Sequence, residues 1–154
     1  MSAQIEKINN SFLSIEKGSI LVLNEINYDN YVNYKKNASI PKNESMSVIK
    51  SPLDFNIYQL SIKEYDPLII GIVQNNYNNK NINNPITTTG IGYVKYNNEN
   101  GEIHRGDLVT SSNKPGEAMK VTKSGVILGI ALEDSKGSSG LLKIRVMIQY
   151  VNFK

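Results

Sequence analysis

The residues of this chain that could support hydrolytic chemistry are His104, Ser111 and Ser112, which stand close together in the sequence. A serine hydrolase needs a nucleophile, a base and an orienting carboxylate within hydrogen-bond reach of one another. His104 is the only histidine, and neither serine lies in a Gly-x-Ser-x-Gly nucleophile elbow. We therefore predict that His104 is a surface residue and that the chain has no catalytic residue.

Metal or cofactor chemistry has equally little support in the sequence. The chain has no cysteine, which excludes disulfides and thiolate metal sites. Its acidic residues are dispersed, and several, such as Asp66 and Asp107, stand beside proline or glycine, as turn-forming residues do. We predict no metal site and no cofactor.

Aromatic side chains offer a possible binding surface. Tyr28, Tyr31 and Tyr34 recur at a spacing of three, and Tyr77 lies in a later asparagine-rich stretch. Such tyrosines can stack on bases or sugars, and we identify these four as possible ligand-facing residues. The alternative is that the three spaced tyrosines are half-buried residues of strands or loops.

The chain contains one pattern twice. A basic residue, glycine and a polar residue precede an apolar strand at Lys17–Asn24 and again at Arg105–Thr110, and each is followed later by an apolar run around Gly-Ile, at Leu68–Val73 and at Val126–Ala131. Duplicated strand units of this kind build β-barrels or paired β-lobes. Arg105-Gly106-Asp107 spells the integrin-binding tripeptide, but its position in the repeat favours a conformational role for the glycine.

This pattern predicts an all-β fold in which a duplicated strand unit forms a β-barrel or two β-lobes, with a short N-terminal arm or helix. We expect a single β domain at 17–154, with related halves at 17–74 and 87–151 joined by an asparagine-rich loop at 75–86. The last strand should alternate, with Lys143 and Arg145 on the face opposite the apolar side chains. Strands are predicted at 19–23, 47–50, 56–62, 68–73, 87–96, 102–110, 118–122, 126–132 and 141–151.

Residues 1–16 form the predicted arm. Its apolar residues are three or four positions apart, as in a helix, although neighbouring asparagines weaken the pattern. Such an arm can cover the open end of the barrel or bind a partner. The residues that we identify as candidate anchors in a partner contact are Ile5, Ile8, Phe12 and Ile15.

Composition limits the partners that the chain can bind. The formal net charge of +3 comes mostly from scattered lysines, which is too weak and dispersed for a nucleic-acid-binding face. No apolar run approaches the roughly 18 residues that a spanning helix needs, and the N-terminus lacks a signal-peptide pattern. We predict no nucleic-acid partner, no membrane partner, and synthesis in a cytoplasm.

The second half resembles a β-module of phage and bacterial surface fibre proteins, and its strand pattern is also similar to that of phage head decoration proteins. The resemblance covers roughly residues 65–150. The matching segments are Tyr65-Asp66-Pro67, Gly92-Tyr93-Val94, Asn100-Gly101-Glu102-Ile103, Gly106-Asp107-Leu108-Val109-Thr110-Ser111-Ser112, Pro115-Gly116, Ala118-Met119-Lys120 and Gly129-Ile130-Ala131-Leu132-Glu133.

The resemblance implies a β-rich, usually trimeric virion component. We therefore expect a non-enzymatic structural protein of a tailed-phage virion, which decorates or cements the capsid or forms a small part of the tail. Its partners would be its own copies, in a homotrimer, and the major capsid protein or other virion proteins. The alternatives are a receptor- or glycan-binding tail-fibre tip and a self-processing peptidase, although no cleavage pair can be carried over from the fibre proteins.

Overall fold

The computed structural model describes residues 15–38, 57–75 and 86–153. One α-helix and nine β-strands lie in these ranges. They are β1 (Ile20–Leu23), α1 (Glu25–Ala38), β2 (Tyr58–Leu60), β3 (Ile69–Val73), β4 (Ile86–Thr87), β5 (Thr89–Asn97), β6 (Leu108–Ser111), β7 (Ala118–Lys120), β8 (Gly125–Ala131) and β9 (Ser139–Val151).

The strands form two sheets. Strands β1 to β4 form a four-stranded antiparallel sheet in the order β2-β1-β3-β4, and strands β5 to β9 form a closed barrel in the order β5-β7-β6-β8-β9. All neighbours in the barrel are antiparallel except β5 and β7. The all-β prediction is confirmed, and the described residues form one open sheet and one barrel.

The two halves repeat the same strand arrangement. The order β2-β1-β3-β4 corresponds to β7-β6-β8-β9, and strand β5 closes the second set into a barrel. The register is equivalent too, because Leu21 of β1 lies opposite Gly71 of β3, while Val109 of β6 lies opposite Gly129 of β8. The duplicated sequence pattern therefore corresponds to a duplicated strand unit.

The turns that enter β1 and β6 are also equivalent. Gly18 and Gly106 both have positive φ, +88° and +94°, which a glycine adopts at little cost. Gly18 N donates to Val73 O, and Gly106 N donates to Ala131 O, both at 2.8 Å. The shared Lys/Arg-Gly pattern thus encodes a left-handed turn that is hydrogen-bonded to the end of the third strand of its unit.

The sheet and the barrel share one hydrophobic core. Ile20 and Ile72 of the sheet pack with Val94, Leu128 and Ile144 of the barrel, and each of these side chains is at most 1% exposed. At roughly 1.5–3 kcal/mol for each buried side chain of this size, this contact supplies much of the stability that joins the halves.

The opposite face of the sheet carries a smaller cluster of Leu21, Leu60 and Val73. Because both faces of β1 are covered, its sequence is a continuous apolar run and does not alternate.

The helix differs from the prediction for its segment. The expectation that Tyr28, Tyr31 and Tyr34 lie on strands or loops is wrong, since all three lie on α1. Asn24, a favoured N-cap residue, precedes the helix, and Glu25 in the first turn suits the helix dipole. The helix has no marked apolar stripe, so the pattern of apolar residues did not reveal it.

Several predicted segments lie partly or wholly outside the described residues. The predicted strand at 47–50 falls there, as does most of the predicted asparagine-rich loop. Ile86, placed at the end of that loop, belongs instead to β4.

Candidate functional site

The predicted partner-contact residues lie mostly outside the described part of the chain. This is true of Ile5, Ile8 and Phe12. Ile15 is half-buried and packs against the cluster of Leu21, Leu60 and Val73. Its role in a partner contact stays a prediction.

The tyrosines predicted to face a ligand are only partly described. Tyr28 is on α1 and is 42% exposed. Tyr31 and Tyr34 follow it on the same helix, and Tyr77 lies outside the described residues.

Ser111 and Ser112 are fully buried and bonded to the backbone. Ser111 Oγ donates to Lys63 O at 2.7 Å and accepts from Asp66 N at 3.0 Å. Ser112 Oγ donates to Glu117 O at 2.8 Å and accepts from the side-chain amide of Asn97 at 3.0 Å. Both hydroxyls therefore act as structural links.

His104, in contrast to these buried serines, lies at the surface. Its side chain is 59% exposed and lies 3.7 Å from the carboxylate of Glu102 and 3.8 Å from that of Asp107. The predicted surface position is confirmed. Among the described residues, no group of three or more acidic or histidine side chains is placed to hold a metal ion.

Tyr65 and Asp66 fasten the first half to the barrel. Tyr65 N donates to Ser111 O at 3.2 Å, and the Tyr65 hydroxyl accepts from Thr122 N and Lys123 N at 2.9 and 3.2 Å. Among the described non-glycine residues, only Tyr65 has positive φ, at +52°. Tyr65-Asp66-Pro67 and Ser111-Ser112, two stretches of the predicted fibre-module pattern, therefore meet in a buried structural contact.

An exposed surface suited to binding lies on the outside of the barrel, along strands β5 and β9. The two strands pair antiparallel over nine residue pairs, from Thr89 opposite Met147 to Asn97 opposite Ser139. On β5, Val94 and Tyr96 point into the core, and Ile91, Tyr93 and Lys95 point outward. We call the outward set the β5–β9 face; its members are Ile91, Tyr93, Lys95, Leu141, Lys143 and Arg145.

Each cross-strand pair on this face joins an apolar or aromatic side chain to a cation. Ile91 lies opposite Arg145, Tyr93 opposite Lys143, and Leu141 opposite Lys95. The side chains of such pairs are neighbours, about 4.5–5.5 Å apart at Cβ. The result is a continuous mixed apolar and basic surface on a rigid strand pair.

The apolar members of the face are unusually exposed for large side chains. Ile91 is 64% exposed, Leu141 45% and Tyr93 42%. A single exposed apolar residue needs no explanation, but several that adjoin each other and are surrounded by polar groups typically mark an interaction surface.

A turn from the first half extends the face. Lys17 Nζ lies 5.9 Å from the ring centroid of Tyr93, within the range of a cation–π contact. Glu16 Oε1 is 2.7 Å from Lys95 Nζ, and Lys95 N donates to Gly18 O at 2.9 Å. The first strand unit therefore contributes both a cation and a carboxylate to the edge of the face.

An open groove of about 490 Å³ adjoins the face at Leu141. Its lining carries charges of both signs, and the residues that line it include Glu16, Lys17, Lys95, Glu117 and Ser139. Such a lining offers both hydrogen-bond donors and acceptors to a polar ligand.

Sequence reasoning placed Lys143 and Arg145 on the outer side of the last strand, and this is confirmed, since Arg145 is exposed and Lys143 half-buried while Leu142, Ile144 and Val146 are buried. It did not identify Ile91, Tyr93 or Leu141 as surface residues. The alternation of side chains along β5 was the available signal for which of its residues face outward. It does not specify which strand lies beside β5.

Comparisons of the chain with models of known protein families, with curated proteins and with solved structures found no match. No helix in the described ranges is both long and apolar enough to cross a membrane.

Proposed function

We propose that this chain is a non-enzymatic structural protein of a tailed-phage virion, which decorates or cements the capsid or forms a small tail component. It would act as a homotrimer and contact the major capsid protein or another virion protein. It would be made in the host cytoplasm and become part of the particle, with no nucleic-acid or membrane partner.

The observation that carries this proposal is the β5–β9 face. A binding surface built on paired strands over a buried core is held in place before a partner arrives, so little ordering entropy is lost on association. The duplicated strand unit supports the same interpretation, because it supplies a folded body in which Asp66 and Ser111, two residues of the fibre-module pattern, are joined by a buried hydrogen bond.

The proposal is tested on the particle itself. Virions of the encoding phage, purified through a density gradient, should contain the chain at a fixed ratio to the major capsid protein, measured by quantitative mass spectrometry. Recovery of the chain only from the soluble fraction of infected cells would contradict the proposal.

The oligomeric state provides a separate test. Multi-angle light scattering of the purified chain should give the mass of three copies of the 17.2 kDa chain. A monomer both free in solution and on the particle would contradict the homotrimer.

The groove beside Leu141 favours a second candidate function, a receptor- or glycan-binding tail-fibre tip. Its carboxylates and hydroxyl could accept hydrogen bonds from sugar hydroxyls, and Tyr93 nearby could stack on a sugar ring. A glycan array should then show binding that Glu117→Gln weakens. An array that stays blank at high protein concentration would remove this candidate.

A further inference from the structure

The charge of the β5–β9 face is unbalanced. Lys95 is paired with Glu16, but within the described ranges the side chains of Lys143 and Arg145 have no ion-pair partner. In the part of the chain that the structure describes, the carboxylate of Glu133 accepts from Lys143 N at 2.9 Å and so binds the backbone of β9, not the ammonium group.

We infer that the β5–β9 face binds an acidic protein surface that carries apolar side chains of its own. Lys143 and Arg145, which have no ion-pair partner among the described residues, would pair with carboxylates, and Ile91, Tyr93 and Leu141 would be covered by apolar groups. Charge complementarity of this kind raises association rates and selects among partners, while burial of the aromatic and aliphatic side chains supplies affinity.

The alternation of charge and apolar surface defines what fits. Along each strand, outward residues recur about every 6.6–6.8 Å, and across the pair each apolar side chain faces a cation. A partner must therefore offer carboxylates and apolar groups interspersed at similar intervals. A purely acidic polymer would satisfy the cations and leave the apolar side chains in water.

A nucleic acid fits this face less well. Its phosphates would satisfy the cations and its bases could stack on Tyr93, but aliphatic side chains gain little from a sugar-phosphate backbone. Ile91 and Leu141 lie on either side of the Tyr93 ring along the two strands. A nucleic acid stacked on Tyr93 would therefore leave most of the apolar area of the face exposed to water.

This inference deepens the proposed function by giving the chemistry of the partner, and it rests on that proposal only for the partner's identity as a virion protein.

The test uses the full chain and three immobilised probes, measured by biolayer interferometry: a random copolymer of glutamate and tyrosine, polyglutamate, and single-stranded oligo(dT). We expect the copolymer to bind at least about tenfold more tightly than either other probe, a difference of about 1.4 kcal/mol.

Two double variants separate the contributions of charge and apolar surface. Lys143→Gln with Arg145→Gln should weaken binding to both glutamate polymers about tenfold or more. Ile91→Ser with Tyr93→Ser should weaken binding to the copolymer by a similar factor and leave polyglutamate binding within about twofold.

A matched control is available outside the face. Ile62, 58% exposed, is followed by the exposed Lys63 in the segment after β2. The double variant Ile62→Ser, Lys63→Gln removes one aliphatic and one basic side chain outside the face and should leave binding to all probes unchanged. Because all the substituted side chains are wholly or partly exposed, the variants should keep the β-rich circular dichroism spectrum of the parent chain.

The inference is overturned if the copolymer does not bind, if oligo(dT) binds more tightly than the copolymer, or if the control variant loses as much binding as the face variants. If a face variant fails to fold, two other measurements provide the same test. Arg145→Glu should weaken copolymer binding, and added salt should weaken copolymer binding by the parent chain. If the copolymer does not bind but purified particles contain the chain, only the inference about the partner's chemistry fails. If the particles lack the chain but the copolymer binds, only the virion proposal fails.

Discussion

Ser19 and Asp107 make the same hydrogen bond in two equivalent turns. Ser19 Oγ accepts from Glu16 N at 3.2 Å, and Asp107 Oδ2 accepts from His104 N at 2.7 Å, in each case three residues back along the chain. The carboxylate of Asp107 therefore closes its own turn. This hydrogen bond explains the aspartate of the Arg-Gly-Asp tripeptide without invoking integrin binding. The duplication therefore extends to equivalent side-chain hydrogen bonds.

Replacement of Asp107 tests that equivalence. Asp107→Ala should lower the free energy of unfolding by about 1 kcal/mol because the turn loses its side-chain acceptor. Asp107→Ser should cost less than half as much, since the equivalent position already uses a serine hydroxyl. Urea denaturation of the two variants measures the difference. Equal losses would mean that the carboxylate acts through Lys120, 3.5 Å away, and not through the turn.

Gly129 and Gly71 should be intolerant of a side chain. A Cβ at Gly129 would collide with Arg145 O, and one at Gly71 would collide with Thr87 O, so a strand backbone would have to move. We expect each alanine variant to lose about 3 kcal/mol or more of stability in thermal or urea unfolding.

The control for this prediction is Gly137→Ala. A Cβ there would meet open space, so only the strain of its φ of +81° remains, about 1 kcal/mol. If the alanine variants at Gly129 and Gly137 lose similar amounts of stability, then close strand packing does not explain the glycine of the Gly-Ile pattern.

Two buried serines should respond in opposite directions to alanine. Ser111→Ala removes a hydroxyl that bonds Lys63 O and Asp66 N, which leaves buried backbone groups unpaired and should cost about 1–3 kcal/mol. Ser61 is also buried, yet its Oγ has no hydrogen-bond partner in the described part of the chain. Ser61→Ala should be neutral or stabilising by up to about 1 kcal/mol. Urea unfolding of both variants decides, and a loss at Ser61 as large as at Ser111 would contradict this assignment.

Deletion of residues 1–14 tests the predicted arm. Ile15 packs on the sheet and Glu16 pairs with Lys95, so the cut leaves these contacts in place. We expect the shortened chain to keep its circular dichroism spectrum and its binding to the glutamate–tyrosine copolymer but to lose binding to virions that lack the chain, measured by co-sedimentation. Undiminished particle binding would show that Ile5, Ile8 and Phe12 are not anchors.

The contrast between α1 and β9 shows why some elements were predictable. In β9, buried Leu142, Ile144 and Val146 alternate with outward residues, and a period of two is a direct consequence of strand geometry. In α1, the apolar residues form no marked stripe at the helical period, so their pattern gave no signal; the spacing of the tyrosines and Asn24 before the helix were the remaining signals.

By itself, the sequence determined the all-β class, the duplicated unit, the turns before β1 and β6, and the outward position of Lys143 and Arg145. All of these follow from local backbone geometry and from the alternation of side chains across a strand. Only the tertiary structure decided that β5 lies beside β9, because residues 89–97 and 139–151 are far apart in the chain and any strand with a suitable edge could have paired with either. That long-range pairing places Ile91 beside Arg145 and Tyr93 beside Lys143, and so it creates the face on which the proposed interaction depends.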